Sequence, residues 1–506
     1  MAHWKSISGL AATATLLTST AVFADVTAAG VWNDYKTYME GFGYTVQTGS
    51  EDMSGDTLTI NDMNFSMDLG KDIDGAVSMS MGSMSLTEQG DGTVAITFPP
   101  KFDISVRADG GNEDMNLVMS VAHSGMVIVA SGDDSETAYD FSAPTMTMTM
   151  DGIEVDGEKI DVDLNAALTG YSGRYLVVDG APTQISGDLT TDTMELSIRV
   201  KEPREGVDVD FDLAAAALAG TFAMSVPEVF DQENMAANLD AGMAFDFDYS
   251  LGAITFNLDG TGDGDSFAAN GRVGGAEVAF EMNQGGMGLS ELVKDIDIAI
   301  SGSEIPFPEL TLKAAEYGLN FLMPITKSDT PDDFEMGVRL VGIEVTDTLW
   351  NMIDPATVLP RDPATLVIDT AGKANWFFNI MNPEEAGMMD GGEIPGELHA
   401  LTLNDLQLSV AGADLTGNGG FTFDNDDLQT FDGVPRPEGS IDLKLVGANG
   451  LLDKLVQMGL IPDDQAMGAR MMMGLFAIPG DGEDTLNSKI EVNDQGHVLA
   501  NGQRLK

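Results

Sequence analysis

Three thioethers, Met146, Met148 and Met150, alternate with Thr145, Thr147 and Thr149. A strand would set all three on one face, about 7 Å apart from one to the next. Soft sulfur ligands in such a row can hold Cu(I). The chain has no Cys, however, and no His stands near these methionines in sequence, so the row reads better as an adaptable apolar surface. A second chemistry is suggested by Asp259, Asp263 and Asp265, hard oxygen donors in a Gly-interleaved loop of the kind Ca²⁺ takes. Gly264 lies one place from where an EF-hand needs it and no Glu fills the twelfth position, which leaves a hairpin turn as the better reading. Asp424, Asp426 and Asp427 are read the same way.

Catalytic signatures are missing. Beyond the first residues the histidines are His123, His399 and His497, far apart in sequence, and carboxylates are too numerous for spacing to single out an acid and base pair. The chain contains no G-x-S-x-G elbow, no phosphate-cradling G-x-x-x-x-G-K-[ST], no G-x-G-x-x-G and no H-E-x-x-H. The expectation is a protein that is not an enzyme, with no catalytic residues, no metal and no cofactor.

The elements that must carry these residues are strands. Alternation of period two recurs at Leu58 and Ile60; at Met63, Phe65 and Met67; at Ile160, Val162 and Leu164; at Met194, Leu196 and Ile198; and at Ile296, Ile298 and Ile300. Between Ile60 and Met63 the register slips by one residue, which predicts a bulge at Asn61 or Asp62. Gly- and Asp-rich turns such as Ala108–Asn112 join the strands. One weak echo links Asp161–Gly170 (DVDLNAALTG) to Asp208–Gly220 (DVDFDLAAAALAG), either a repeated strand pair or a coincidence in a small residue vocabulary.

Helices are few. Val31, Trp32, Tyr35 and Met39 have helical spacing before Gly41 and Gly43, and Pro227–Met235 is a second candidate opened by proline. Asp347 is placed to cap a short helix through Trp350. Near the C-terminus Asn449 is placed to cap a helix ending at Gly459, and Pro462 with Asp463 opens another through Leu475.

The first residues read as a signal peptide. Lys5 precedes an apolar stretch from Ile7 to Phe23, and Val22 and Ala24 suit signal peptidase, predicting cleavage after Ala24 and a periplasmic location. The net charge of −58, from 24 basic and 82 acidic residues, excludes nucleic acid as a partner. Past residue 24 no apolar stretch is long enough to span a bilayer. With 43% hydrophobic residues in periodic order, the chain is expected to fold. Residues 25–506 are read as one elongated body, with possible sub-boundaries near 201–206, 327–333 and 382–396.

Val31, Trp32, the run Glu40–Tyr44 (EGFGY), the run Leu349–Thr365 (LWNMIDPATVLPRDPAT) and the region from Leu415 to Leu505 resemble the exported bacterial proteins grouped as domain of unknown function 2125. That resemblance implies no activity, so no site residue follows from it. In style the strand-rich body is also similar to the AsmA-like proteins, whose long curved sheets present an apolar groove associated with lipid handling. The chain departs from that pattern in having no membrane anchor at its N-terminus.

The fold expected is mainly β: a long curved antiparallel sheet, groove- or sandwich-like, with a few short helices including a C-terminal pair. The function expected is binding of a lipid or other hydrophobic ligand on an apolar sheet face. That face would include Met146, Met148, Met150, Ile160, Val162, Leu164, Met194, Leu196 and Ile198. The alternatives are an envelope protein with a filled core and no ligand, and an outer-membrane barrel, which the scarcity of Tyr and Trp disfavours.

Overall fold

The computed structural model describes residues 26–506 except Phe42, 69–74, 111–113, Asp134, Asp156, 203–205, 232–233, 383–384, Ala386 and 388–394. The signal segment 1–24, part of the 108–112 turn and parts of the proposed boundaries at 201–206 and 382–396 lie outside the described residues. The described strands form one large antiparallel sheet. Its middle is four consecutive long strands, Glu136–Val155, Glu158–Val178, Thr183–Glu202 and Val207–Val226. Each pairs with the next over most of its length. The described pairings leave the sheet open: Thr45–Gln47 and Ser50–Ser54 pair only with Thr57–Asp68, and the last strands pair only with one another and with Thr485–Val492.

A crease crosses this sheet at right angles to the strands. It is marked by residues with left-handed backbone in the middle of strands: Asp62 (φ 51°), Gly170 (62°), Ala217 (51°), Asp295 (52°) and Gly342 (66°). Three of them face a break between two shorter strands, and the break is closed the same way each time. The amide of Gly49 donates to the carbonyls of Asn61 and Asp62, that of Gly252 to Ala216 and Ala217, and that of Gly274 to Lys294. At Gly49 and Gly274 a Cβ would collide with the facing Asp62 or Asp295 side chain, so glycine fits there. At each marked residue the strand slips by one position, and apolar residues of odd number on one side continue as even on the other. The slip at Asp62 differs from the expected bulge. Asn61 pairs with Ser83 and Met63 with Met81, so both strands slip together and neither carries an extra residue.

Short helices punctuate the sheet. Helix α1 (Ala28–Gly41) buries Ala28, Val31 and Trp32 on one face and stops before Gly43, whose φ is 87°. Those residues pack on Leu58, Ile60, Phe65, Leu86 and Val94 to form the main core. The expected helix over Pro227–Met235 is displaced. Pro227 simply follows the strand Val207–Val226, and α2 (Met235–Asp240) begins where the Asn234 side chain accepts the Ala237 amide. Helix α3 (Asp347–Ile353) is capped by Thr346, and Asp347, expected as the cap, sits in the first turn and pairs with Arg361. The C-terminal pair is present as α4 (Ala448–Gln457) and α5 (Asp463–Phe476). Asn449 is inside α4 and does not cap it. The first-turn amides of Asn449 and Gly450 donate to the Asp484 carboxylate at 3.2 and 2.9 Å.

The sheet curls around α1. Between the strands Thr57–Asp68 and Val207–Val226 lie seven strand spacings, roughly 34 Å if flat, three times the width of a helix. Yet Met63 from the first of these strands and Phe222 from the last line one cavity with Trp32. Only a strongly curved sheet brings them together.

Candidate functional site

The nine apolar residues singled out by their alternation share one face, and cross-strand pairing arranges them in rows. Met119, Met150, Leu164, Ile198, Phe211 and Leu258 make one row across six strands. Val121, Met148, Ala166, Leu196, Leu213 and Phe256 make the next, and Met146, Leu168 and Met194 continue into a third. Ile160 and Val162 extend the face, opposite Ile153 and Val200. The opposite face of the same strands carries Asn165, Glu195, Ser197 and Asp212. Met150 is buried, whereas Met146, Met148, Ile160, Val162, Leu164, Met194, Leu196 and Ile198 are half-buried.

A half-open space lies elsewhere on that face, beneath α1. A cavity of about 660 Å³ is bounded by the helix and by the curled strands. This falls within the ~300–1,000 Å³ of ordinary ligand pockets. Its floor carries Met63, Met81 and Met84, and its far wall Tyr175, Phe222 and Met224. None of the nine residues named above lines it. Tyr139 and Tyr175 stack with ring centroids 4.6 Å apart, and Trp32 stacks on Tyr35 at 5.7 Å. Trp32 is fixed by its indole N–H, which donates to Glu51 at 2.8 Å. Burial pushes the Tyr38 hydroxyl up to about 12. Burial, with the nearby charges of Asp34 and Asp179, does the same for Tyr139. At neutral pH these phenols are uncharged and give the wall apolar ring faces with polar tips. Asp34, Asp179 and Glu228 stand at the exposed rim.

This lining was not recognised in the sequence because the crease hides it. Tyr139 and Phe141 have odd numbers while Met146, Met148 and Met150 are even, yet all share a face once Pro144 is passed. Phe222 and Met224 stand in the stretch Leu213–Met224, where a run of alanines blurs the alternation and Ala217, at φ 51°, shifts its period.

The metal chemistries find no support in the geometry. His123 does pair directly with Met146, a juxtaposition no sequence spacing reveals. Its Nε2 lies 2.9 Å from the Pro99 carbonyl and its Nδ1 accepts the Met126 amide, so both ring nitrogens are engaged by backbone. Asp263 and Gly264, both at positive φ, form the tight turn between the strands Ile254–Gly262 and Asp265–Val273. Asp424 and Asp427 are bridged by the Arg436 guanidinium at 2.9 and 3.2 Å. Among the described residues no cluster of His, Asp and Glu could hold a metal ion.

The run from Asp354 to Pro363 is a structural knot. Asp354 is fully buried and accepts the Leu359 amide at 2.7 Å. Burial opposes its ionisation, but the amides of Val358 and Leu359 and the charge of Arg361 hold its carboxyl below the usual range. Arg361 in turn donates to Asp347, to the Asn351 side chain and to the Asp354 carbonyl, which ties α3 to the loop that follows it.

No helix of the described residues is long and apolar enough to cross a membrane. No curated protein and no solved structure matches the chain. Of the stretches that carry the family resemblance, Leu349–Thr365 and the closing region as far as residue 502 fall in the matched part, whereas Val31, Trp32, Glu40–Tyr44 and the whole cavity lining precede it. That matched part, residues 253–502, matches the family described as an uncharacterized protein conserved in bacteria (DUF2125).

Proposed function

We propose that this protein is an exported, non-enzymatic carrier of a lipid or other elongated apolar ligand, held beneath α1. The observation that carries the reading is the cavity itself: about 660 Å³ of space walled by methionines and aromatic rings instead of filled by them. Flexible thioethers adapt to an acyl chain better than branched side chains do. The mostly half-buried rows through Met146, Met148 and Met150 continue the same surface past the crease and give a long chain somewhere to lie. A kinship with AsmA-like proteins in lipid handling belongs to this proposal, on the strength of the curved apolar sheet alone. Export rests on the signal-like residues 1–24, and N-terminal sequencing of protein recovered from the periplasm should begin at Asp25.

The binding test is direct. Protein purified without detergent is examined by native mass spectrometry, then delipidated and titrated with a fluorescent polyene fatty alcohol. Saturable one-site binding is expected, weakened at least tenfold by Met224→Trp, which fills the cavity. A delipidated protein of unchanged circular dichroism that binds no apolar probe would sink the proposal and leave an envelope protein with a structural role.

A further inference from the structure

Among the described residues the rim of the cavity beneath α1 carries charge of one sign only. Asp34 from the helix, Asp179 from the end of the strand Glu158–Val178 and Glu228 from the segment after Val226 all line it, and among the described lining residues there is no Lys, Arg or His. The aromatic groups gather at the same end. Asp34 and Asp179 are close enough to the Tyr139 hydroxyl to help hold its proton. Burial raises the Tyr175 hydroxyl as well, with Tyr139, Tyr35 and Tyr38 close by. Carboxylates over aromatic rings attract a cation: the ring faces through their quadrupoles, the carboxylates through their charge. The chain itself makes such a contact at one of the lining rings, where Lys36 lies 5.3 Å from the Trp32 ring centroid and 3.3 Å from Glu51. An amphiphile with a carboxylate or phosphate head would instead bring like charge to the rim of a protein whose net charge is already −58.

We infer that the ligand beneath α1 is a cationic amphiphile, its amine or quaternary ammonium head held at the Asp34, Asp179 and Glu228 rim and its tail among the methionines of the cavity floor. This rests on the proposed apolar-ligand function and narrows it to a head-group class. An alkylamine and a choline-type head share that chemistry, and N-methylation of the probe separates them.

The test uses the whole protein and single-chain probes with one and the same dodecyl tail, below their micelle concentrations and at physiological salt. They are dodecyltrimethylammonium, dodecylamine, dodecanol and dodecanoate, with calorimetry as the readout and tryptophan fluorescence beside it. The inference expects at least one cation to bind about tenfold or more tighter than dodecanoate, with dodecanol between them. It expects that preference to fall below about threefold in Asp34→Asn/Asp179→Asn. Because an acidic protein attracts any cation, Asp188→Asn/Asp248→Asn supplies the control: it removes the same charge from exposed sites outside the cavity and should keep the preference. If Asp34→Asn unfolds the helix, as read by circular dichroism, Asp179→Asn/Glu228→Gln takes its place.

Equal affinity for all four probes, each weakened by Met224→Trp, would overturn the head-group inference and leave the apolar cavity standing. A preference lost equally in the control variant, or kept in the rim variant, would overturn it as well. No binding of any probe would remove both readings.

Discussion

Valine at position 217 should destabilise this protein, although valine is a better strand former than the alanine it replaces. Ala217 is exposed in the middle of the strand Val207–Val226, so packing hardly enters, but its φ is 51°. Left-handed backbone brings Cβ against the following carbonyl and costs an L-residue about 1–2 kcal/mol, and a β-branched side chain fits it worst. Alanine already bears that cost, so Ala217→Val adds only the crowding of the β-branch and is expected to lower stability by a further ~0.5–1.5 kcal/mol. Ala217→Gly removes that strain of about 1–2 kcal/mol but adds about 0.5–1 kcal/mol of unfolded-state entropy, so it should come out neutral to stabilising by up to ~1.5 kcal/mol. Two residues on, Ala219 is equally exposed and sits in regular pairing with Thr190 and Ser250. There the order should invert, with valine neutral or stabilising by up to ~1 kcal/mol and glycine destabilising by about 0.5–1 kcal/mol. Urea midpoints followed by far-ultraviolet circular dichroism report all four variants on one scale. If valine has the same effect at 217 as at 219, residue 217 is ordinary strand and the crease does not pass through it.

Three further outcomes are expected. Trp32→Ala should cost about 3–5 kcal/mol by emptying the centre of the main core, while Trp32→Phe, which loses the bond to Glu51, should cost about 1–3 kcal/mol. Both are read from urea unfolding. Glu281 faces Asp246 across the sheet, and burial, Asp246 and Glu335 raise its pKa. A raised carboxyl makes the charged form unfavourable in the fold, so the cost is present above its folded pKa and disappears as pH falls through it. Glu281→Gln should accordingly raise the melting temperature at pH 7, by a screened gain of a few tenths of a kcal/mol to about 1 kcal/mol, and lose that advantage in acid. Asp354 has the opposite sign. Its lowered pKa contributes stability above the ordinary carboxylate range that is lost as pH falls through the folded value. Asp354→Asn should lower the urea midpoint clearly at pH 7, and the gap from the parent protein should narrow in acid.

What could be read from the sequence was whatever repeats over a few neighbouring residues. The Thr and Met ladder at 145–150 is a strand, and the nine apolar residues share a face, because a period of two needs only the chain's own geometry. The closing helical pair was legible because Gly459 and Pro462 punctuate it locally. The cap of α4 was not, since Asp484 supplies it from 35 residues away. Nor was the cavity, for two physical reasons. Its walls come from α1 and from strands seven spacings apart, joined only by curvature. Its period also breaks at the crease, so Tyr139 and Met146 look like residues of opposite faces. The one-residue slip at Asp62 was visible, but its extension across the sheet depends on pairing that no single strand encodes.

The crease also governs how a sheet of this kind can grow. Asp161 and Asp208 begin the two echoing segments, and both pair with Lys201, so they stand at one level two strands apart. Counting along each segment from that level, the left-handed residue arrives at the same step, Gly170 in one and Ala217 in the other. A hairpin copied together with its slip residue can be added beside its parent without turning any apolar side chain outward. A hairpin copied without it would match on one side of the line and invert on the other. The left-handed residues thus act as a ruler for lengthening the sheet by hairpins. A loss or gain of one residue between the turn and the crease should be tolerated far less than the exchange of a whole hairpin.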